Sequence, residues 1–127
     1  MTSTAWSERE LAEIDDHSEV RIASLRSEGT LSSDRIIWAV RLGDEVYVRS
    51  VNGPGAAWFR ATRLRHEGRL SVGAVNKDVT FVDIDEGDGI AERIDAAYRG
   101  KYGAYSGPVA RITADQARAN TLKLLPR

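Results

Sequence analysis

The stretch RIIWAVRLGDEVYVRSVNGPGAAWFRATRLR, residues 35–65, constrains the fold more than any other part of this 127-residue chain. Two runs rich in β-branched and aromatic residues, 35–42 and 45–51, flank Gly43-Asp44, which reads as a two-residue hairpin loop. Asn52-Gly53-Pro54-Gly55 follows and opens a basic helix from Ala56 to about Leu64. This order delivers the second strand of an antiparallel pair straight into a glycine turn and a helix N-terminus. Uncapped N–H groups and the positive end of the helix dipole converge at such a point, so an anion such as a phosphate fits beside Arg49 and Ser50. Glycine permits the positive φ and close backbone approach this requires, and Pro54 sets the helix entry while giving up one donor. Asn-Gly and Pro-Gly pairs also serve plain turns, and that reading stays open.

The flanking sequence tells what surrounds this hairpin. Ser7-x-x-Glu10 is a capping box, with Trp6 and Leu11 at hydrophobic-staple spacing, so a short first helix runs from about Glu8 to Asp15. Val20–Leu25 alternates loosely and predicts a strand closed by Ser27-Glu28-Gly29. With a Gly43-Asp44 loop, Val40 faces Tyr47 and Trp38 faces Arg49, so Trp38 is expected to stack on that guanidinium. A second hairpin is predicted from Leu70–Val75 and Val79–Ile84 across Asn76-Lys77. Ile90, Ile94, Ala97 or Tyr98, and Tyr102 recur at helical spacing, so 89–102 reads as an amphipathic helix ended by Gly103. The tail offers the apolar run Val109–Ile112, a turn containing Thr113-x-x-Gln116, and a last strand, Thr121–Leu125, stopped by Pro126. Nothing resembling a linker or repeat divides the chain, so 1–127 reads as a single domain with 1–18 as an N-terminal helical segment. About six strands and three helices, with adjacent hairpins and little strand–helix alternation, predict a mainly β fold with α: a small antiparallel barrel with helices outside, rather than a Rossmann sheet.

Composition bounds the function classes. With no cysteine, the chain has no disulfide, thiolate zinc site or cysteine nucleophile, which fits a reducing cytosol. No apolar run approaches the roughly 20 residues of a membrane span. The start, MTSTAWSERELAEIDD, is acidic and lacks an apolar core, so it is not a signal peptide. A cytoplasmic location without membrane partners is expected. Net charge is −1 but uneven: residues 7–20 come to −5, residues 83–95 to −5, and residues 49–69 to +4. These are either mutually offsetting solvated faces or a basic mouth for a small anion. A long nucleic-acid tract is disfavoured, because one short basic run on an acidic protein offers few phosphate contacts.

Other candidate chemistry is sparse. Trp58, beside Phe59, is either core or a rigid wall along a planar ligand. His17 lies among Asp15, Asp16 and Glu19, but adjacent residues seldom point at one ion, and no metal site is expected. His66 sits in a charged turn, and no serine–histidine–acid arrangement has a nucleophile-elbow context. Tyr98 and Tyr102 share one helix face, either as packing or as a lid over a ligand or a partner subunit.

The runs Ile37-Trp38-Ala39-Val40, Tyr47-Val48-Arg49-Ser50, Trp58-Phe59-Arg60 and Ile94 through Gly103, with Gly53, Thr121-Leu122 and Pro126-Arg127, resemble a family of bacterial domains of unknown function over most of the chain beyond Trp6. More distantly, the layout resembles the FMN-binding split barrels, the pyridoxamine-phosphate-oxidase-like proteins and deazaflavin-dependent nitroreductases. Ser50, Asn52-Gly53 and Trp58 match their order of strand end, glycine turn and tryptophan-bearing helix. Arg26-Ser27-Glu28-Gly29 and Arg35 match the deazaflavin branch's basic turn and following arginine, except that Glu28 interrupts the basic turn. The resemblance implies a six-stranded antiparallel split β-barrel with flanking helices, and a homodimer holding an FMN or deazaflavin cofactor between subunits. It further implies that Arg26, Arg35, Arg49 and Ser50 hold the cofactor phosphate, Asn52 and Gly53 supply backbone contacts, and Trp58 lines the ring pocket. A flavin or deazaflavin carries the hydride chemistry, so an oxidoreductase acting on a small-molecule substrate needs no dedicated protein acid or base. The alternatives are a non-catalytic small-anion-binding module on the same fold, and a weak nucleic-acid binder using Arg60, Arg63, Arg65 and Arg69.

Overall fold

The computed structural model describes residues 5–84 and 89–127. Residues 1–4 of the N-terminal segment, and Asp85, Glu86 and Asp88 of the second acidic segment, lie outside the described residues.

Helix α1, Glu8–Asp16, starts on the predicted capping box: the Glu10 amide donates to Ser7 Oγ and the Ser7 amide donates to Glu10 Oε1. Trp6 and Leu11 both enter the main core, and the Trp6 indole N–H donates to the Leu124 carbonyl at 3.0 Å. The strands are β1 Val20–Ser24, β2 Arg35–Ile37, β3 Ala39–Leu42, β4 Glu45–Arg49, β5 Glu67–Val72, β6 Val75–Asp83 and β7 Thr121–Pro126. A 3-10 turn, Gly53–Gly55, leads into α2, Ala57–Arg65, and α3 Ile90–Tyr102, α4 Ser106–Ile112 and α5 Asp115–Arg118 precede β7.

All strand pairs are antiparallel, in the order β2-β1-β5-β6-β7-β4-β3. The strands at the two ends of this order, β2 and β3, are separated in the chain by Trp38 alone. The sheet therefore curls on itself until one chain segment serves both edges, which leaves it nearly closed into a barrel. This also corrects the strand count from six to seven. The run 35–42 reads as one strand because periodicity reveals burial, not partners; before Trp38 it pairs with β1, and after Trp38 with β4.

The first hairpin has the expected register, with Leu42 opposite Glu45 and Val40 opposite Tyr47. The second turns at Gly73-Ala74 rather than Asn76-Lys77, because Val72 pairs with Val75 and Gly73 takes the positive φ (53°) that the tight turn requires. Asn76 and Lys77 stay in the ladder opposite Ser71 and Leu70. The apolar run Val109–Ile112 forms the end of helix α4, with Val109 and Ile112 turned inward at helical spacing.

Strand alternation separates two apolar layers. Val46 and Val48 of β4 point into the barrel with Ala39, Leu70, Val72, Val79, Phe81, Leu122 and Leu124, and α1 and Phe59 of α2 close its ends. Val40 and Tyr47 point outward and are covered by Ile94, Tyr98 and Tyr102 of α3 and by Val109 and Ile112 of α4. Each such large side chain contributes about 1.5–3 kcal/mol by leaving water, so α3 and α4 are integral to the barrel wall. Among the described residues no helix is long and apolar enough to cross a membrane.

Candidate functional site

A cleft of about 370 Å³ opens at the barrel rim where β2, the turn after β4, and α4 meet. It is lined by Arg35, Ile36, Ile37 and Trp38 at β2, by Arg49, Val51 and Asn52 at the end of β4 and its turn, by Trp58 of α2, and by Pro108, Arg111 and Ile112 of α4. A smaller recess of about 210 Å³ lies between β1, the segment 32–35 and the start of α2, lined by Ser24, Arg26, Ser32, Ser33, Arg35 and Trp58 among others. Arg35 and Trp58 border both spaces, so together they form one elongated groove. Among the described residues no aspartate or glutamate lines either part. The smaller space carries Arg26, Arg35 and serine hydroxyls; the larger carries Arg35, Arg111 and the buried Arg49 among aliphatic and indole side chains.

The predicted site residues divide into two groups. Arg26, Arg35, Asn52 and Trp58 line the groove. Trp58 packs half-buried against the core, in a T-shaped contact with Phe59, and also borders the two spaces. Arg26 is braced within its own turn, donating to the Leu31 carbonyl at 3.0 Å. The N-cap of α2, Ala56, makes no side-chain cap, and Ala57 and Trp58 in its first turn face the recess. The uncapped helix N-terminus read from sequence is thus present, but it opens beside Arg26 and Arg35.

Arg49 and Ser50 require a correction. Their expected role as phosphate ligands needs open donors, and both are buried, Arg49 with only 2% of its surface exposed. Arg49 touches the cleft, yet its guanidinium points under α3, where Nη1 donates to Asp95 Oδ1 and to the Ile112 carbonyl at 3.1 Å. Its Nη2 donates to the Ala91 carbonyl at 3.1 Å and its Nε to Thr121 Oγ1 at 3.1 Å. Four of its five N–H donors are therefore committed inside the protein. Ser50 Oγ donates to the Gly53 carbonyl at 2.6 Å and closes the turn, while Gly53 is buried at φ 73° against Gln116. The alternation that sends Val48 inward sends Arg49 outward, and α3 covers that outer face. Trp38, expected on Arg49, instead stacks on Tyr102 at 3.9 Å between centroids and 8° between planes, and the ring beneath the Arg49 guanidinium is Tyr98, at 5.6 Å.

Asp95 is the residue that sequence reasoning missed. It bonds Arg49 through one carboxylate oxygen and Arg118 of α5 through the other, with Nε at 2.9 Å. Burial opposes its charge, but hydrogen bonds from Arg118 and Arg49 outweigh burial and hold the carboxyl below the ordinary aspartate range. A signal existed: Ala91, Asp95, Tyr98 and Tyr102 repeat at spacings of four, three and four, so Asp95 sits on the buried stripe and needs a cationic partner. Arg111 was also missed, because the run 109–112 carried no cue that it would be a helix end facing a cleft.

Around Tyr102, the hydroxyl donates to the Ser18 carbonyl at 2.7 Å and accepts from the Ala39 amide at 3.3 Å. Lys101 Nζ donates to the carbonyls of Ile14 and Ala39. Desolvation lowers the Lys101 pKa to about 8, against the opposing pull of Asp15. These contacts make the Tyr98–Tyr102 face a packing surface that ties α3 to α1 and β3.

The remaining charged candidates are paired. Arg63 bonds Asp83, Arg65 lies 3.7 Å from Glu67, and Arg69 bonds Asp78 at 2.9 Å; among the described residues Arg60 is the member of that basic run without an acid partner. His17 turns to Glu13, whose carboxylate is 3.3 Å from Nδ1.

A seven-stranded antiparallel sheet nearly closed on itself, with helices packed outside and a cleft at the rim, is a split β-barrel. Within that class the chain belongs to DUF2255, described as an uncharacterized protein conserved in bacteria, whose family model matches residues 10–124. Among curated proteins none matches the sequence. Solved structures agree on the fold. The heme storage protein HutZ of Vibrio cholerae gives a TM-score of 0.68 at 10% identity, over 94% of this chain and 89% of that one. An F420-H2 dependent reductase gives 0.61 at 10% identity, over 86% and 94%. An FMN-binding protein of Syntrophomonas wolfei gives 0.57 at 12% identity, over 94% and 84%.

Proposed function

We propose that this protein binds a flavin-class cofactor, FMN or a deazaflavin, along the groove and serves redox chemistry on a small molecule. The observation that carries this reading is that two adjoining spaces at the barrel rim, sharing Arg35 and Trp58, offer phosphate donors in one and broad apolar walls in the other. The smaller one, the narrow end of the groove, gathers Arg26, Arg35, three serines and the uncapped start of α2, a donor set for a phosphate. The larger one, the wide end at about 370 Å³, falls within the roughly 300–1,000 Å³ of ordinary cofactor sites and offers tryptophan and branched aliphatic walls to a planar ring. Arg35 and Trp58 stand where phosphate and ring would meet. Structural neighbours named for FMN and F420 support the same class. A neighbour named for heme does not move the reading, since the described lining holds no histidine, cysteine, methionine or tyrosine to ligate iron.

When bound, a flavin or deazaflavin supplies the hydride chemistry itself. The protein's part is to fix the phosphate with Arg26 and Arg35, to orient the ring against Trp58, and to exclude water with Ile36, Ile37 and Ile112. We place this activity in a homodimer: Ile36 and Tyr105, 51% and 53% exposed, stand near the cleft mouth, where a second copy would cover them. Sedimentation at several protein concentrations tests the dimer.

Titration of the apoprotein with FMN and with a deazaflavin tests the cofactor. A ligand at a hundred times its Kd stabilises the fold by about 2.7 kcal/mol, several degrees in a domain of this size. A rise in melting temperature with quenched flavin fluorescence is expected. No shift with either compound overturns the proposal, and an equal shift with inorganic phosphate alone supports the small-anion-binding module instead.

A further inference from the structure

Arg111 has no part in holding the phosphate end of the groove. It lines the wide end from α4, exposed, together with Ile36 and Ile37 of β2. Among the described residues it has no acidic partner, and no acid lines the cleft. Two other cations touch this compartment: Arg49, which is neutralised by Asp95, and Arg35, which it shares with the recess. A phosphate placed with Arg26, Arg35 and the recess serines therefore leaves one unmatched cation in an otherwise apolar chamber. Asn52 is the uncharged polar side chain of that chamber, and Val51, Pro108, Trp38 and Ile112 line it as well. A guanidinium and an amide lining one chamber, among aliphatic and indole side chains, suit a ligand with one carboxylate on an apolar body. Burying that body strengthens the ion pair, because the walls exclude water from around it.

We infer that the substrate of the wide compartment is a small apolar monocarboxylate, whose carboxyl group is held by Arg111 with Asn52 as a second donor. This rests on the cofactor reading, which places the phosphate in the narrow end and the ring in the wide compartment, where the substrate would lie against it, and it makes Arg111 a specificity-determining residue.

The test compares acids with their neutral amides on the apoprotein and on protein loaded with FMN, by calorimetry. Phenylacetate against phenylacetamide, and hexanoate against hexanamide, supply two body shapes. The expected result is that each acid binds at least about tenfold more tightly than its amide, the difference a charge-assisted bond confers. Arg111→Gln should erase that preference, Arg111→Lys should keep part of it, and FMN affinity in both should stay within about twofold of wild type. Equal binding of acid and amide, or no binding of any of the four in the wild type, overturns the inference. So does an Arg111→Gln variant that loses FMN as severely as Arg35→Gln, since that assigns Arg111 to the cofactor. If the wild type binds no flavin, the cofactor reading falls by itself, while acid–amide discrimination on the apoprotein still decides the role of Arg111.

Discussion

Arg49 on β4 and Asp95 on α3 form an ion pair with both side chains out of reach of solvent, and Arg118 completes it from the far side of the carboxylate. The pair joins the outer face of the barrel to the helix that covers it. Removing Asp95 leaves Arg49 buried without a counter-charge, and removing Arg49 leaves Asp95 with Arg118 alone; breaking a buried pair costs about 3–5 kcal/mol. Asp95→Ala and Arg49→Met should each lower stability by that order in urea denaturation. The double variant should lose less than the sum of the two, since neither charge is then left alone.

The same carboxylate makes stability depend on acidity in a defined direction. Its folded pKa lies below the ordinary 3.8, so its contribution is complete above that value and is lost as pH falls toward the folded value. Urea midpoints measured from pH 6 down to pH 3 should fall for the wild type and fall less steeply for Asp95→Asn, which has no proton to take up.

Lys101 acts in the opposite range. Its folded pKa of about 8 is below the ordinary 10.5, so between these values the unfolded chain binds more protons than the folded one, and stability rises with pH. The window closes near pH 10, where the unfolded tyrosines ionise while burial keeps Tyr98 and Tyr102 protonated. Urea midpoints should increase between about pH 8 and 10, and Lys101→Met should flatten that rise.

Gly68 on β5 faces the barrel interior, and a methyl group there would run into the backbone carbonyl of Ala23 and the ring of Phe81. The Ala23 carbonyl cannot move without opening the pairing of β1 with β5, and the Phe81 ring is held in the core. Gly68→Ala should cost about 1–3 kcal/mol or more by overpacking. Gly55→Ala, where a Cβ meets open space, should stay within about 0.5 kcal/mol in the same chemical denaturation series.

For the groove, Arg35→Gln and Trp58→Phe should leave the melting temperature of the apoprotein within a few degrees of wild type while reducing its rise with FMN. The Arg35 charge contributes about 1.5–3 kcal/mol to holding a phosphate, equivalent to a loss of tenfold or more in affinity. Arg49→Met should show the reverse pattern, a large fall in apoprotein stability. Thermal melts with and without FMN separate the two behaviours.

Much of this was legible in the chain. The capping box, the Gly43-Asp44 hairpin register, the helix ending before Gly103 and the barrel class all follow from local chemistry, because capping, turn geometry and alternation act over a few residues. The groove was half legible: Arg26, Arg35, Asn52 and Trp58 line it, while Arg111 carried no local mark. Arg49 and Ser50 were misassigned because an arginine beside a glycine turn reads the same whether a helix lies over it or not. The missing fact was that α3, which begins some forty residues later in the chain, packs on that strand and brings a carboxylate with it.

By itself, then, the sequence determined which segments turn, cap, alternate and bury, and with them a hairpin-built barrel carrying a glycine turn and an uncapped helix start at its rim. Only the tertiary structure decided that the strand at 35–42 changes partner at Trp38 to close the sheet. It alone decided that Asp95 draws Arg49 inward, and that Arg111 and Arg35 stand free around a cleft. Those outcomes depend on contacts between residues far apart in the chain, where burial and pairing of charge are settled by what packs overhead rather than by what lies next in sequence.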